Sequence, residues 1–231
     1  MRLLVTRPEP DNERTAEALR AKGHDVLLAP LLHIEPIADA DLGAPPWAAI
    51  VLTSANGARA MSRHPRRAEL MNLPVLTVGR SSAEAARAVG CADVLSADGD
   101  ARDLARLAAA RFAGSLAPLL YLAGEDRSGE LAVPGCAVRT AVVYRAAKAE
   151  RFPDEARDAL LRGTIDGVLH FSQRSVEGFI ECSRDLDERA LAPTHYCLSK
   201  RSAEPLQRAG AKRIVVAEHP DEASLLALVL P

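Results

Sequence analysis

The chain has 231 residues, 48% of them hydrophobic and 26% charged, enough to bury the core of one large domain or of two ordinary ones. A formal net charge of −2 argues against bulk nucleic-acid binding, which comes with a basic excess. No apolar run approaches the roughly 18 residues a membrane-spanning helix needs, the N-terminus lacks a signal-peptide pattern, and four cysteines (Cys91, Cys136, Cys182, Cys197) show no CxxC spacing, so a cytoplasmic protein with free thiols is expected.

Strand-like and helix-like runs alternate. Residues 3–6 read as a strand and 9–22 as a helix with Ala16 and Leu19 on its apolar face. Gly23 stands where a helix C-cap belongs, before a strand at 26–29. Pro30 breaks that run, so 31–36 reads as a separate extended piece and 38–46, with Gly43 and paired prolines, as a linker. Strands are predicted at 48–53, at 75–78 and near Val94, with helices from Asn56, at 82–89 and at 101–112. A strand at 119–122, a loop at 124–127, a short helix near Leu131 and a long extended run at 137–146 follow. The remainder reads helix 154–161, strand 167–171, helix from Arg174, strand 195–198, helix 201–209, strand 213–216 and helix from Asp221. Such alternation implies parallel α/β sheets covered on both faces, with ligands at the polar turns after the strands.

The chain is also written twice, with a period of about 116–120 residues. Ala49-Ile50-Val51-Leu52-Thr53-Ser54-Ala55-Asn56 returns as Gly167-Val168-Leu169-His170-Phe171-Ser172-Gln173-Arg174, and Gly79-Arg80-Ser81-Ser82-Ala83-Glu84 as Ser199-Lys200-Arg201-Ser202-Ala203-Glu204. Each segment joins an apolar run to a turn of small polar residues and then to a helix, which leaves backbone N–H groups open to an anion. Ser54, Ser82, Ser172 and Ser202 could equally be helix caps and nothing more. The Gly79–Ala83 turn has neither GxxxxGK[ST] nor GxGxxG, so nucleotide phosphates are not supported.

Basic residues near strand ends (Arg7, Arg80, Arg127, Arg145, Lys148, Arg174, Lys200, Arg201) would suit a polyacidic ligand if they converge, and are merely solvated if they do not. Tyr144, one of three tyrosines, lies in the long extended run. It could donate a proton, or pack its ring at a domain boundary. The six histidines show no metal-ligand spacing, so no metal site is expected, and there is no GxSxG elbow from which a Ser-His-Asp set could be argued.

Several of these segments, taken in order, resemble the uroporphyrinogen-III synthase family. They are Leu3-Leu4-Val5-Thr6-Arg7-Pro8, Leu28-Ala29-Pro30-Leu31, Leu52-Thr53-Ser54-Ala55-Asn56, Val78-Gly79-Arg80-Ser81-Ser82-Ala83, Val142-Val143-Tyr144-Arg145, Phe171-Ser172 and Arg201-Ser202-Ala203 before Gly210. Each is weak alone; the ordered set covers nearly the whole chain. The resemblance implies a HemD-like fold of two flavodoxin-like parallel α/β domains, one discontinuous, joined by a two-stranded hinge. That maps onto residues 1–34 with 149–231 for one domain, 38–140 for the other, and hinge strands 31–36 and 141–147. It implies that Tyr144 assists departure of a hydroxyl as hydroxymethylbilane closes to uroporphyrinogen III. It also implies substrate contacts from Arg7, Ser54, Ala55, Asn56, Arg80, Ser82, Gly124, Ser172, Gln173, Arg174, Lys200 and Ser202. Serines replace the usual threonines at 82 and 202, Ser199-Lys200 stands where Gly-Pro is usual, and Gln173 where Pro is common.

The expectation is therefore a monomeric, cofactor-free tetrapyrrole-forming enzyme with a small-molecule substrate, no nucleic acid and no membrane partner. A two-lobed module that binds a tetrapyrrole or another small anion without turnover is the alternative. A receiver-like regulatory domain would need an acidic cluster at its strand ends, and the first strand ends in Thr6-Arg7 instead.

Overall fold

Strand and helix alternate through the computed structural model, which describes residues 1–127 and 129–229. The order opens β1 (Arg2–Val5), α1 (Asp11–Arg20), β2 (Asp25–Leu28), β3 (Leu32–Pro36), β4 (Ala49–Leu52), α2 (Ala55–Arg63), α3 (Arg67–Leu70), β5 (Val75–Thr77), α4 (Arg80–Ala88), β6 (Val94–Ser96) and α5 (Ala101–Phe112). It continues β7 (Leu119–Gly124), β8 (Val138–Lys148), α6 (Asp154–Leu161), β9 (Gly167–His170), α7 (Gln173–Cys182), a 3₁₀ turn at Asp187–Arg189, β10 (Thr194–Cys197), α8 (Lys200–Arg208), β11 (Ile214–Val216) and α9 (Glu222–Ala227). The short helix expected near Leu131 is not there. Pro134 drives the preceding Val133 away from helical backbone, and too few residues remain after Gly129 to form a turn. Leu131 and Val133 instead pack as loop residues against a hydrophobic cluster. The brief α3 and the 3₁₀ turn are too short to leave a periodic signal.

The strands form a five-stranded sheet in the order β11-β10-β9-β1-β2 and a six-stranded sheet in the order β3-β8-β7-β4-β5-β6. Every pair in the first is parallel, as are the pairs from β8 to β6 in the second. β4, β7 and β9 are buried at every residue, as strands covered on both faces must be. Along β4 the side chains alternate. Ile50 and Leu52 meet Met61 and Ala83 on one face, while Ala49 and Val51 meet Leu104 and Ala108 on the other. In the five-stranded sheet Leu4 and Val168 pack with Phe152, Leu160 and Phe179, and Leu3, Val5 and Leu169 with Ala16, Leu19 and Leu225.

The chain divides into two compact units, residues 34–146 and residues 1–33 with the chain from 147 onward, and it passes from one to the other within β3 and within β8. Positions 230 and 231, the end of the expected 149–231 piece, lie outside the described residues. The internal repeat explains the topology. The first copy runs from β1 to α5 and the second from β7 to α9. The five-stranded sheet takes β1 and β2 from the first copy and β9, β10 and β11 from the second. The other sheet takes β4, β5 and β6 from the first copy and β7 and β8 from the second, with β3 added at its edge. Counted in copy order both sheets run 2-1-3-4-5, the flavodoxin-like arrangement.

Candidate functional site

Within the 34–146 unit the connection from β4 leads outward to β5 and that from β7 leads outward to β8. The C-terminal ends of β4 and β7 therefore flank the crevice where open α/β sheets take ligands. A cavity of about 500 Å³ opens there. Thr53 and Ser54 line it from the end of β4, Tyr121 and Gly124 from β7, Asp126, Arg127 and Glu130 from the following loop, and Tyr144 from β8.

Local chemistry fixes each wall. Ser54 is the N-cap of α2 and accepts the Asn56 N–H at 3.2 Å, which aims the turn that carries Ala55 and Asn56. A β-carbon at Gly57 would lie 3.0 Å from the Leu122 carbonyl oxygen, so a glycine lets the first turn of α2 lie against β7. Asn56 Oδ1 accepts from Arg59 Nη1 at 2.8 Å. Tyr144 is half-buried, and burial pushes its phenol above the ordinary value. A hydrogen bond with the Ser54 hydroxyl pulls the other way, while Tyr121 and Asp126 push further up. The phenol is thus protonated at neutral pH, the form that can give a proton away.

Tyr121 was not anticipated. Its hydroxyl and Thr53 Oγ1 lie 2.9 Å apart, pairing the one polar side chain of an otherwise apolar strand with the residue that follows β4. The available signal was a phenol inside Leu119-Leu120-Tyr121-Leu122, since a buried tyrosine requires a partner. At the mouth Arg127 Nη2 donates to Glu130 Oε1 at 2.5 Å, and Thr140 donates to the other oxygen at 3.3 Å. Arg80 is exposed and Ser82 buried in the first turn of α4, whose N-cap Gly79 offers no side-chain acceptor.

In the other unit a cavity of about 370 Å³ is lined by Ser172, Gln173, Arg174, Glu177, Ser199, Arg201 and Ser202. Ser172 caps α7, accepting the Ser175 N–H at 3.1 Å. Gln173 donates to Glu177 at 3.0 Å and accepts from Arg201 Nε at 2.9 Å. Ser199 and Ser202 form a capping box on α8: the Ser199 hydroxyl accepts the Ser202 N–H at 3.2 Å, and the Ser202 hydroxyl accepts the Ser199 N–H at 3.0 Å. The imperfect echo of Gly79 in Ser199 therefore has a structural consequence, because side chains hydrogen-bond to the helix start of α8 and no side chain caps that of α4. Lys200 is exposed in the first turn of α8.

The sequence-derived candidates thus separate by position. Ser54, Gly124 and Tyr144 line the first cavity, and Ser172, Gln173, Arg174 and Ser202 line the second. Ala55, Asn56, Arg80, Ser82 and Lys200 stand on the adjoining helix starts. Arg7 is engaged elsewhere: Nη1 meets Glu222 at 2.8 Å, Nη2 meets Asp11 at 3.7 Å, and the guanidinium lies over the Phe171 ring.

The family model for uroporphyrinogen-III synthase HemD matches residues 13–227. Among solved structures, a mutant selenomethionine form of uroporphyrinogen III synthase from the extremely thermophilic bacterium Thermus thermophilus is 20% identical, with a TM-score of 0.52 over 98% of this chain and 96% of that one. The wild-type native enzyme from the same bacterium is 20% identical, with a TM-score of 0.45 over 98% and 95% of the two chains. No curated protein matches the chain.

Proposed function

The chain belongs to the uroporphyrinogen-III synthase HemD family, and we propose that it closes linear hydroxymethylbilane to uroporphyrinogen III with loss of water and inversion of the last pyrrole ring. One observation carries the reading: a protonated, half-buried Tyr144 phenol stands in a cavity at the ends of β4 and β7, beside the Ser54 hydroxyl and near Asp126. The phenol donates its proton as the substrate C–O bond breaks. The bonding pair leaves with the oxygen as water, and a cation delocalised over the pyrrole that carried the hydroxymethyl group remains. Asp126, in the same cavity wall, offers that cation a negative neighbour.

A positioned acid of this kind contributes roughly 10²–10⁴-fold. The rest is positioning, because the cation closes spontaneously to the symmetric isomer unless the last pyrrole, at the opposite end of the chain, is held so that its substituted carbon attacks first. That attack gives a spiro intermediate, which fragments and recloses with the ring inverted, and the proton lost from the newly bonded ring carbon balances the one the phenol gave. The substrate's acetate and propionate carboxylates are assigned to the helix starts at Ser54, Ala55 and Asn56 and at Arg80 and Ser82. Ser172, Gln173, Arg174, Lys200 and Ser202 offer the same chemistry in the other unit, and Arg7 contributes if a ligand carboxylate displaces Glu222. In the same proposal the two domains are 1–34 with 149–231 and 38–140, and strands 31–36 and 141–147 are the hinge.

The test is turnover. Purified protein given freshly generated hydroxymethylbilane yields predominantly isomer III. Only the spontaneous isomer I would overturn the reading, and tight product binding without turnover would point to a non-catalytic binding protein.

A further inference from the structure

Gly124 ends β7 directly across from Tyr144, at a register shift in the β7–β8 ladder. Its backbone is not in the left-handed region, so nothing in its own conformation bars a side chain. A β-carbon placed there would nonetheless lie 2.7 Å from Tyr144 Cζ, 2.8 Å from Cε2 and 2.9 Å from the phenol oxygen. These are the three heavy atoms nearest to that position, and all belong to the reactive end of the ring. The Glu125 N–H donates to the Tyr144 carbonyl at 2.9 Å, which ties the two backbones together at this point.

We propose that Gly124 is a positioning residue for Tyr144, its missing side chain leaving the space in which the phenol lies. The proposal rests on the reading of Tyr144 as the proton donor, and it gives Gly124 a role other than contact with substrate. Ordinary carbon contacts need about 3.5–4.0 Å, so a methyl group at position 124 displaces the phenol by roughly 1 Å. The ring can yield by turning about its side-chain bonds, which costs the fold little. A reacting group cannot be moved so far without loss of rate.

The experiment combines Gly124→Ala with Tyr144→Ala. In the otherwise unchanged protein Gly124→Ala lowers kcat on the order of ten- to a hundredfold with KM little altered, and the thermal midpoint stays close to that of the parent. In the Tyr144→Ala background, where the space is vacant, adding Gly124→Ala leaves kcat unchanged within about twofold, as coupled positions require. An equal loss in both backgrounds would overturn the proposal, because Gly124 would then meet the substrate itself. Should Gly124→Ala alone fail to fold, the double variant folds if the ring is the obstacle, and failure of both overturns it.

A second readout does not depend on activity. In protein carrying 3-fluorotyrosine, Gly124→Ala shifts the ¹⁹F resonance of Tyr144 and leaves that of Tyr196 in place. An unmoved Tyr144 resonance sinks the proposal. If the parent protein makes no isomer III, the proposed function fails while the resonance still decides the role of Gly124.

Discussion

Tyr144 is governed by neighbours of different kinds: burial and Asp126 raise its phenol, Ser54 lowers it, and Gly124 leaves room for it. Tyr144→Phe removes the proton and keeps the ring, so isomer III formation slows by about 10²-fold or more with the thermal midpoint unchanged, and a residual rate from positioning remains. Isomer analysis by chromatography checks it; an undiminished rate would remove Tyr144 from the reaction. Ser54→Ala has two separable effects. Loss of the cap costs about 1 kcal/mol in denaturant unfolding, and loss of the hydroxyl bond moves the phenol ionisation still higher, readable by ultraviolet titration. Tyr144 could be singled out in the sequence because a phenol stood in an extended run that the family resemblance also marked. Tyr121 carried only the weaker signal of a phenol in an apolar run, because its partner Thr53 is 68 residues away and only the sheet joins them. For the same reason Arg7 looked available: its carboxylate partner Glu222 lies at the other end of the chain.

At the scale of elements, local signals sufficed where they were strong. The helix predicted at 101–112 forms as Ala101–Phe112, opened by a capping box of Asp100 and Asp103, and that at 154–161 as Asp154–Leu161. The expectation failed at Leu131, where an apolar pair in a short segment before Pro134 imitated a turn of helix. Ser199 shows a subtler limit. From sequence it was only a departure from a family pattern, while in the fold it closes a capping box on α8. Ser199→Ala should therefore cost about 1 kcal/mol in stability, whereas Ser199→Gly should cost only a few tenths. Urea unfolding of the two variants decides; equal costs would mean that the box does not anchor α8.

For the whole molecule, the exchange of strands between copies makes residues 34–146 a continuous unit and leaves the other unit dependent on both ends of the chain. The repeat revealed this in outline, but pairing of β1 with β9 is invisible without the sheet. The fragment 34–146 should unfold cooperatively on its own, while residues 1–33 and the chain from 147 onward should fold only when both are present; circular dichroism of the separate and mixed pieces tests it. The discontinuous unit also carries an acid sensitivity. His170 and His195 are fully buried with ring nitrogens 3.0 Å apart, flanked by Phe179, and His195 feels Arg213 nearby. Burial pushes His195 down to about 4 and His170 well below its ordinary value. The unfolded chain takes up protons near pH 6.5 that the folded one refuses, so stability is full above that pH and falls between about 6.5 and 4. Replacing both by leucine should flatten the slope of urea midpoints in that window, and an unchanged slope would assign it to other groups. The central claim meets its most direct test in the initial ratio of isomer III to isomer I from freshly generated hydroxymethylbilane, with the protein at catalytic concentration. Isomer III should dominate from the first time point and fall steeply with Tyr144→Phe, whereas the protein-free ratio at every enzyme concentration would contradict the account.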